Sequence, residues 1–122
     1  PLTINANHQI LFEHIDSSNL IHKQDKYRRL FYIYKGTKRF FIFNNDQSKY
    51  LYLENNISPI NFWNQDTEKY PLIEKSQYIE IICRENTMIY IPYSFYYTSI
   101  CDEDTITIDF HSESIFSKYL KT

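Results

Sequence analysis

Seven short runs of Ile, Tyr, Phe and Thr, each five to seven residues long, recur along the chain with turn residues between them. β-Branched and aromatic side chains suit a pleated, half-buried surface better than a helix. The runs are QILFE (9–13), RLFYIY (29–34), KRFFIF (38–43), YIEIIC (78–83), TMIYI (87–91), FYYTSIC (95–101) and TITIDF (105–110). The last alternates cleanly: Ile106 and Ile108 face one way, Thr105, Thr107 and Asp109 the other. KGT (35–37), NND (44–46), CREN (83–86) and CDED (101–104) supply the turns. Asn55 to Lys75, with two prolines, reads as an excursion with one short helical turn. SESIFSKYL (112–120) reads as a short C-terminal helix with Ser112 as N-cap and Lys118 near its end. Many short strands with turns between them predict an all-β sandwich or barrel. A length of 122 residues suits a single domain over 1–122, with its core at about 9–110.

Composition narrows the function classes. Aromatics make up 18% of the chain, enough area for a core despite a single alanine, Ala6. A net charge of −2 argues for neither nucleic acid nor an anionic membrane as partner. No apolar run approaches the roughly 18 residues of a membrane helix. The opening PLTINANHQ shows no signal peptide, although Pro1 is not a natural start residue and suits a cleaved or truncated N-terminus. Cys83 and Cys101 each sit in an apolar run and read as two reduced core thiols, which predicts an intracellular location, cytoplasm or nucleus. The wealth of Ile, Asn, Lys and Tyr fits an AT-rich coding genome, such as that of a large DNA virus or a protist, and a virion component would be in keeping.

A resemblance sharpens the fold. The stretch MIYIPYSFYYTSI (88–100), followed by TITIDF, resembles the end of the double-stranded β-helix of the JmjC and cupin-like 2-oxoglutarate hydroxylases. The asparaginyl hydroxylase that inhibits hypoxia-inducible factor belongs to that group. Its members run a strand ending Tyr-Ile-Pro into Trp-Trp-His, then into a last strand ending Asn-Phe-Trp. Upstream, KGTKRFFIFNNDQSKYLY (35–52) is similar to the family's Gly-x-Lys-Arg strand, acidic turn and Leu-Tyr. SPINFWNQDTEKYPL (58–72) is similar to its Ser-x-Val-Asp segment and Pro-containing loop. The resemblance covers about residues 10 to 110 and implies a jelly roll, the double-stranded β-helix of the cupins.

The family's chemistry would need Fe(II) held by two histidines and a carboxylate on one face. The resemblance puts the family's His-x-Asp about thirteen residues before Gly36, on Lys23-Gln24-Asp25. Asp25 is retained, but Lys23 stands where the first histidine belongs. Five residues after Pro92, at the last histidine position, stands Tyr97. An ammonium cannot coordinate a cation. A tyrosinate can bind Fe(III) but ill suits a cycle that starts from Fe(II). Lys23 and Asp25, two apart on a strand, are expected on one face, with the ammonium paired to Asp25 near the lost metal. Phe95, Tyr96 and Tyr97 then become packing. The expectation is therefore a degenerate site: no metal, no catalytic residue, no cofactor.

Alternatives remain. His14-Ile15-Asp16 is a literal His-x-Asp that His111 could complete, but His14 lies far too early relative to Gly36 and His111 is placed after the last strand. His22, beside the ligand slot, is expected to point to the other sheet face, and His8 sits in a polar leader. The resemblance also implies a candidate anion pocket. Lys38 matches the lysine that grips the far carboxylate of 2-oxoglutarate, Arg29 falls where an Asn lines the pocket, Phe31 where an aromatic does, and Asp109 where the last strand has Asn. Lys23, Arg29, Lys38, Asp25 and Asp109 would converge either as an ion network or as a metal-free dicarboxylate pocket.

Lys23, Lys26, Arg28, Arg29, Lys35, Lys38 and Arg39 form a basic cluster, but alternation divides it between two faces, so nucleic acid is not expected as a partner. One glycine is too few for a phosphate-cradling loop. The expected role is a catalytically inactive module. It would meet a protein partner, or further copies of itself, through an aromatic-rich sheet surface. The alternatives are an Fe(II)/2-oxoglutarate hydroxylase with atypical ligands and a metal-free dicarboxylate binder.

Overall fold

The computed structural model describes residues 4–114. Eight strands run β1 (Ile4–Glu13), β2 (His22–Lys23), β3 (Arg28–Lys35), β4 (Lys38–Phe43), β5 (Ile79–Cys83), β6 (Thr87–Tyr90), β7 (Tyr96–Cys101) and β8 (Thr105–Ser114). They make two antiparallel four-stranded sheets, ordered β1-β8-β3-β6 and β2-β7-β4-β5. Consecutive strands alternate between sheets except at the β4–β5 step, which stays in the second sheet; β3 crosses to β4 at Gly36, and this winding makes the all-β jelly roll. Gly36 has a positive φ of 86°, and a Cβ there would lie 2.4 Å from the Asp104 carbonyl oxygen, so the crossing requires glycine.

Two cores result from strand alternation. Between the sheets lie Phe31, Ile33, Phe40, Ile42, Cys83, Ile89, Ile91 and Tyr97. On the outer face of the second sheet, Phe41, Phe43, Tyr96 and Ile21 pack against Leu51, Ile60, Phe62 and Ile73. These last four come from the excursion between β4 and β5, which carries 3-10 turns at Asn45–Tyr50 and Pro71–Lys75. Edge-on rings knit this layer: Phe41 to Trp63 at 4.9 Å and Phe43 to Phe62 at 5.8 Å between centroids.

Three expectations change. The polar stretch before residue 9 is not a leader: β1 starts at Ile4 and pairs with β8 all the way to Ser114. Residues 112–114 continue β8, so Ser112 pairs with Ala6 and Arg28 and caps no helix; the remainder of the predicted helix lies outside the described residues. The aromatic trio is not one platform, because Tyr96 faces the outer core and Tyr97 the inner one, with Phe95 packed beside the latter. Cys83 and Cys101 are buried and unbridged. They flank Lys38 across β4, as its register partners on either side. No helix among the described residues is long and apolar enough to cross a membrane.

Candidate functional site

β2 is only two residues long, and its register decides which side chains enter the barrel. His22 pairs with Tyr97 and Lys23 with Tyr96. Since directly opposed residues share a face, His22 enters the interior and Lys23 follows Tyr96 outward. The His22 ring lies 4.3 Å from that of Tyr97, centroid to centroid. Its Nδ1 donates to the Leu20 carbonyl oxygen at 2.9 Å. Burial lowers the His22 pKa; the Leu20 hydrogen bond works against this, Arg29 reinforces it, and Asp25 opposes it. The expectation that His22 points away is thus reversed.

Lys23 does not take the expected inward place. Its Nζ stands over the Tyr93 ring, 5.6 Å from the centroid, and no ion pair joins it to Asp25. The physical reason is that the strand ends at Lys23. Gln24 is fully buried and turns the chain. Its Nε2 donates to the carbonyl oxygens of Ile91 and Lys26, both at 3.0 Å, and its Oε1 accepts from the Lys26 backbone N–H at 2.6 Å. Two residues apart therefore no longer means one face, and Asp25 is left exposed.

The interior position opposite His22 is occupied by an ion pair. Arg29 Nε donates to Asp109 Oδ1 at 3.2 Å and Nη2 to Oδ2 at 3.1 Å, a bidentate fork. Its Nη1 reaches the Tyr97 hydroxyl at 3.4 Å. The Asp109 side chain is 7% exposed. Burial pushes the Tyr97 phenol up to about 12, with Arg29 working against the rise and Asp109 adding to it. His111, a β8 residue rather than one beyond the last strand, brings Nδ1 to 3.5 Å from Asp109 Oδ1 without a hydrogen bond. Phe31 packs on both Tyr97 and Phe40 and lies under the Arg29 guanidinium.

Lys38 touches this group only at Phe31, where its Nζ lies 6.0 Å from the ring centroid. It is buried, with Nζ on Glu13 Oε1 at 2.6 Å and above the Phe40 ring. The five charged groups expected together therefore divide. Arg29 and Asp109 meet, Lys38 finds Glu13, and Lys23 and Asp25 stay outside. His14 is exposed beside Asp104, far from any partner in a triad with Asp16 and His111. The basic cluster divides as well: Arg39 grips Asp102 on the outer side at 2.9 Å, and Lys26 reaches Glu113 at 3.3 Å. Glu13 and Gln24 belong to no motif. Glu13 is nonetheless readable from alternation, since it follows Leu11 on the same side of QILFE.

This donor set does not fit a divalent metal. The phenol keeps its proton at neutral pH, the carboxylate of Asp109 is consumed by a guanidinium, and a fixed cation stands among them. Among the described residues, no three His, Cys, Asp or Glu side chains gather into a set able to hold a metal ion.

The opposite side of the first sheet is unusual in another way. Its outward residues form rungs across all four strands: His8, Phe110, Leu30, Tyr90 in one, and Ile10, Ile108, Tyr32, Met88 in the next. Phe12 and Ile106 begin a third. The first two rungs contain no charged side chain, Lys35 pairs with Ile106 in the third, and Phe12 is 76% exposed. With strands about 4.8 Å apart and rungs about 7 Å apart, the apolar footprint is on the order of 400 Å².

A jelly roll built this way, with strand-borne groups projecting into its bore, defines a protein of the cupin class. Residues 13–116 match the model of the cupin-like domain family, and the chain belongs to that family. No curated protein matches the chain.

Proposed function

We propose that this chain is a catalytically inactive cupin-like domain, a degenerate relative of the 2-oxoglutarate hydroxylases, that serves as a structural or protein-interaction module in a larger assembly. The apolar outer face of the first sheet carries the reading. A footprint of this size matches the largest apolar patch of a typical folded monomer, which is often functional. The bore argues in the same direction, since the groups at its centre bind one another. Arg29 and Tyr97 use on Asp109 and on each other the hydrogen bonds that a cosubstrate would need. Lys38, the candidate grip for a dicarboxylate, is neutralised by Glu13. Neither an oxygenase with atypical ligands nor a metal-free dicarboxylate binder is favoured by these pairings.

Two measurements test the reading. Calorimetric titration with Fe(II) and with 2-oxoglutarate, alongside metal analysis of the purified protein, is expected to give no stoichiometric binding. One iron per chain, lost on Asp25→Ala, would overturn the inactive assignment. The dye 8-anilinonaphthalene-1-sulfonate is expected to bind the bare face and to lose that binding in the double variant Phe12→Lys, Met88→Lys. A folded wild-type chain that leaves the dye unbound would show that the face is not available to a partner.

A further inference from the structure

We infer that β5 is a self-pairing edge, through which two copies of this chain join their second sheets into one continuous eight-stranded sheet about a twofold axis. The inference stands on the strand edge alone and is independent of the proposed role of the other sheet's face.

β5 ends the order β2-β7-β4-β5, and among the described residues no strand lies on its outer side. An open edge presents a row of unpaired backbone donors and acceptors, and its natural occupant is another extended strand. Proteins usually guard such edges with proline, lysine, a bulge or a covering loop. β2, at the other end of this sheet, is covered in this way: His22 bridges to Ile57, and the Lys23 N–H donates to the Asn56 carbonyl oxygen at 2.9 Å. β1 carries a run of Asn, His and Gln, and β6 is only four residues long. β5 has no covering segment among the described residues; at five residues it is one longer than β6, and Glu80 is its one charge. Its sequence IEIIC contains neither proline nor lysine, and its pairing with β4 runs without a bulge from Ile79 to Cys83. Ile79, Ile81 and Ile82 are 65%, 36% and 48% exposed, on both faces of the strand.

The charge pattern selects a second copy as the occupant. Glu80 is the one charge on the strand, and its Oε1 lies 3.5 Å from Nη1 of Arg39 in its own sheet. Antiparallel self-pairing centred on Ile81 sets Ile81 against Ile81, Ile79 against Cys83, and Glu80 against Ile82. No like charges face each other; Ile81 and Ile79 gain apolar neighbours on their own side of the sheet, and Ile82 faces Glu80 of the second copy. A register centred on Glu80 would oppose two carboxylates and is disfavoured by the same rule.

Sedimentation velocity across a concentration series, from micromolar to near-millimolar, reads the dimer directly. The wild type is expected to dimerise reversibly. Ile82→Glu would place a carboxylate opposite each Glu80 of the second copy and weaken the dimer by about tenfold or more. It should still fold, because Arg39 lies opposite position 82 within the chain. Ile82→Lys would instead create two opposite-charge pairs and keep the dimer, more strongly at low salt. A buried apolar contact of any other kind would suffer from both changes alike. As a second readout, Ile81→Cys should form a disulfide-linked dimer on mild oxidation, since directly opposed strand residues have suitable Cα separations. Glu80→Cys, facing Ile82, should not. A wild type that stays monomeric throughout, a dimer indifferent to both position-82 variants, or equal loss in both would overturn the inference, as would crosslinking at 80 in preference to 81.

Discussion

The outer faces of the two sheets both carry large apolar side chains and are differently treated. On the second sheet, Phe41, Phe43 and Tyr96 are buried under the chain's own excursion, which contributes Leu51, Ile60, Phe62 and Ile73. On the first sheet, Phe110, Ile108, Tyr32 and Met88 occupy the corresponding outward positions, and no described segment crosses them. Burial of an aromatic contributes about 2–3 kcal/mol relative to exposure. The second sheet's outer face therefore contributes stability inside the chain, while the first sheet's withholds the same kind of surface for something outside it. Composition alone would not separate the two, since both are built from Phe, Tyr and Ile.

The difference can be broken or sharpened by substitution. The largest effect is expected in the buried layers. Phe43→Ala should lower the unfolding free energy by about 3–5 kcal/mol in urea titrations. Removing Asp109 (Asp109→Ala) should cost about 3–5 kcal/mol, because it strands the Arg29 guanidinium inside. The pair replacement Arg29→Met, Asp109→Leu should cost much less, which would show that the ion pair fills the bore rather than holding it together.

Next in size is an alkaline loss that the bare face does not share. Tyr97 ionises at about 12 in the fold and near 10 in the unfolded chain. Above pH 10 the unfolded state releases its proton first, so stability falls between about 10 and 12, by about 2–3 kcal/mol in all. Tyr97→Phe should remove this fall, read as the difference between the two proteins' urea midpoints at pH 9 and pH 11.5. At the acid end the sign is opposite in pH. His22 is held neutral below its ordinary pKa of 6.5. The unfolded chain takes up the proton first as pH drops through about 6.5, so stability declines until the folded His22 is protonated too. His22→Asn should flatten that slope, and a wild-type stability that rises on acidification through this range would contradict the placement of His22 in the interior.

The smallest effect belongs to the bare face. Phe12→Ala should change the unfolding free energy by less than about 0.5 kcal/mol. A cost comparable to that of Phe43→Ala would mean that the face is covered within the chain.

The sequence disclosed the jelly roll well and the site unevenly. Strands rich in Ile, Phe and Tyr with period-two alternation, such as KRFFIF and TITIDF, are found within a residue or two at their starts, because their pattern reports directly on which side is buried. The first half of β1 was invisible, since Asn5, Asn7 and Gln9 carry no apolar alternation and the strand is fixed by its partner β8 instead. The ligand slot failed for a related reason. Counting residues back from Gly36 assumes an unbroken strand, and buried Gln24 turns the chain after Lys23, so His22 takes the inward place by a shift of one. Arg29 with Asp109 was legible because both lie on regular strands whose inward side is unambiguous. Lys38 with Glu13 was half legible: the lysine's inward place follows from alternation, but its partner sits twenty-five residues away on a strand whose pairing the local pattern does not reveal.

The register of β1 against β8 also governs how this molecule comes into being. Among the described residues, 4–13 find their strand-pairing partners in residues 105–114, and β8 stands between β1 and β3. During synthesis β1 must wait for β8, and until then only the β3–β6 ladder of the first sheet can form. Contacts this distant in sequence make closure slow, so the nascent chain holds the ten-residue β1 unpaired until β8 emerges, and removing β8 would undo two ladders at once.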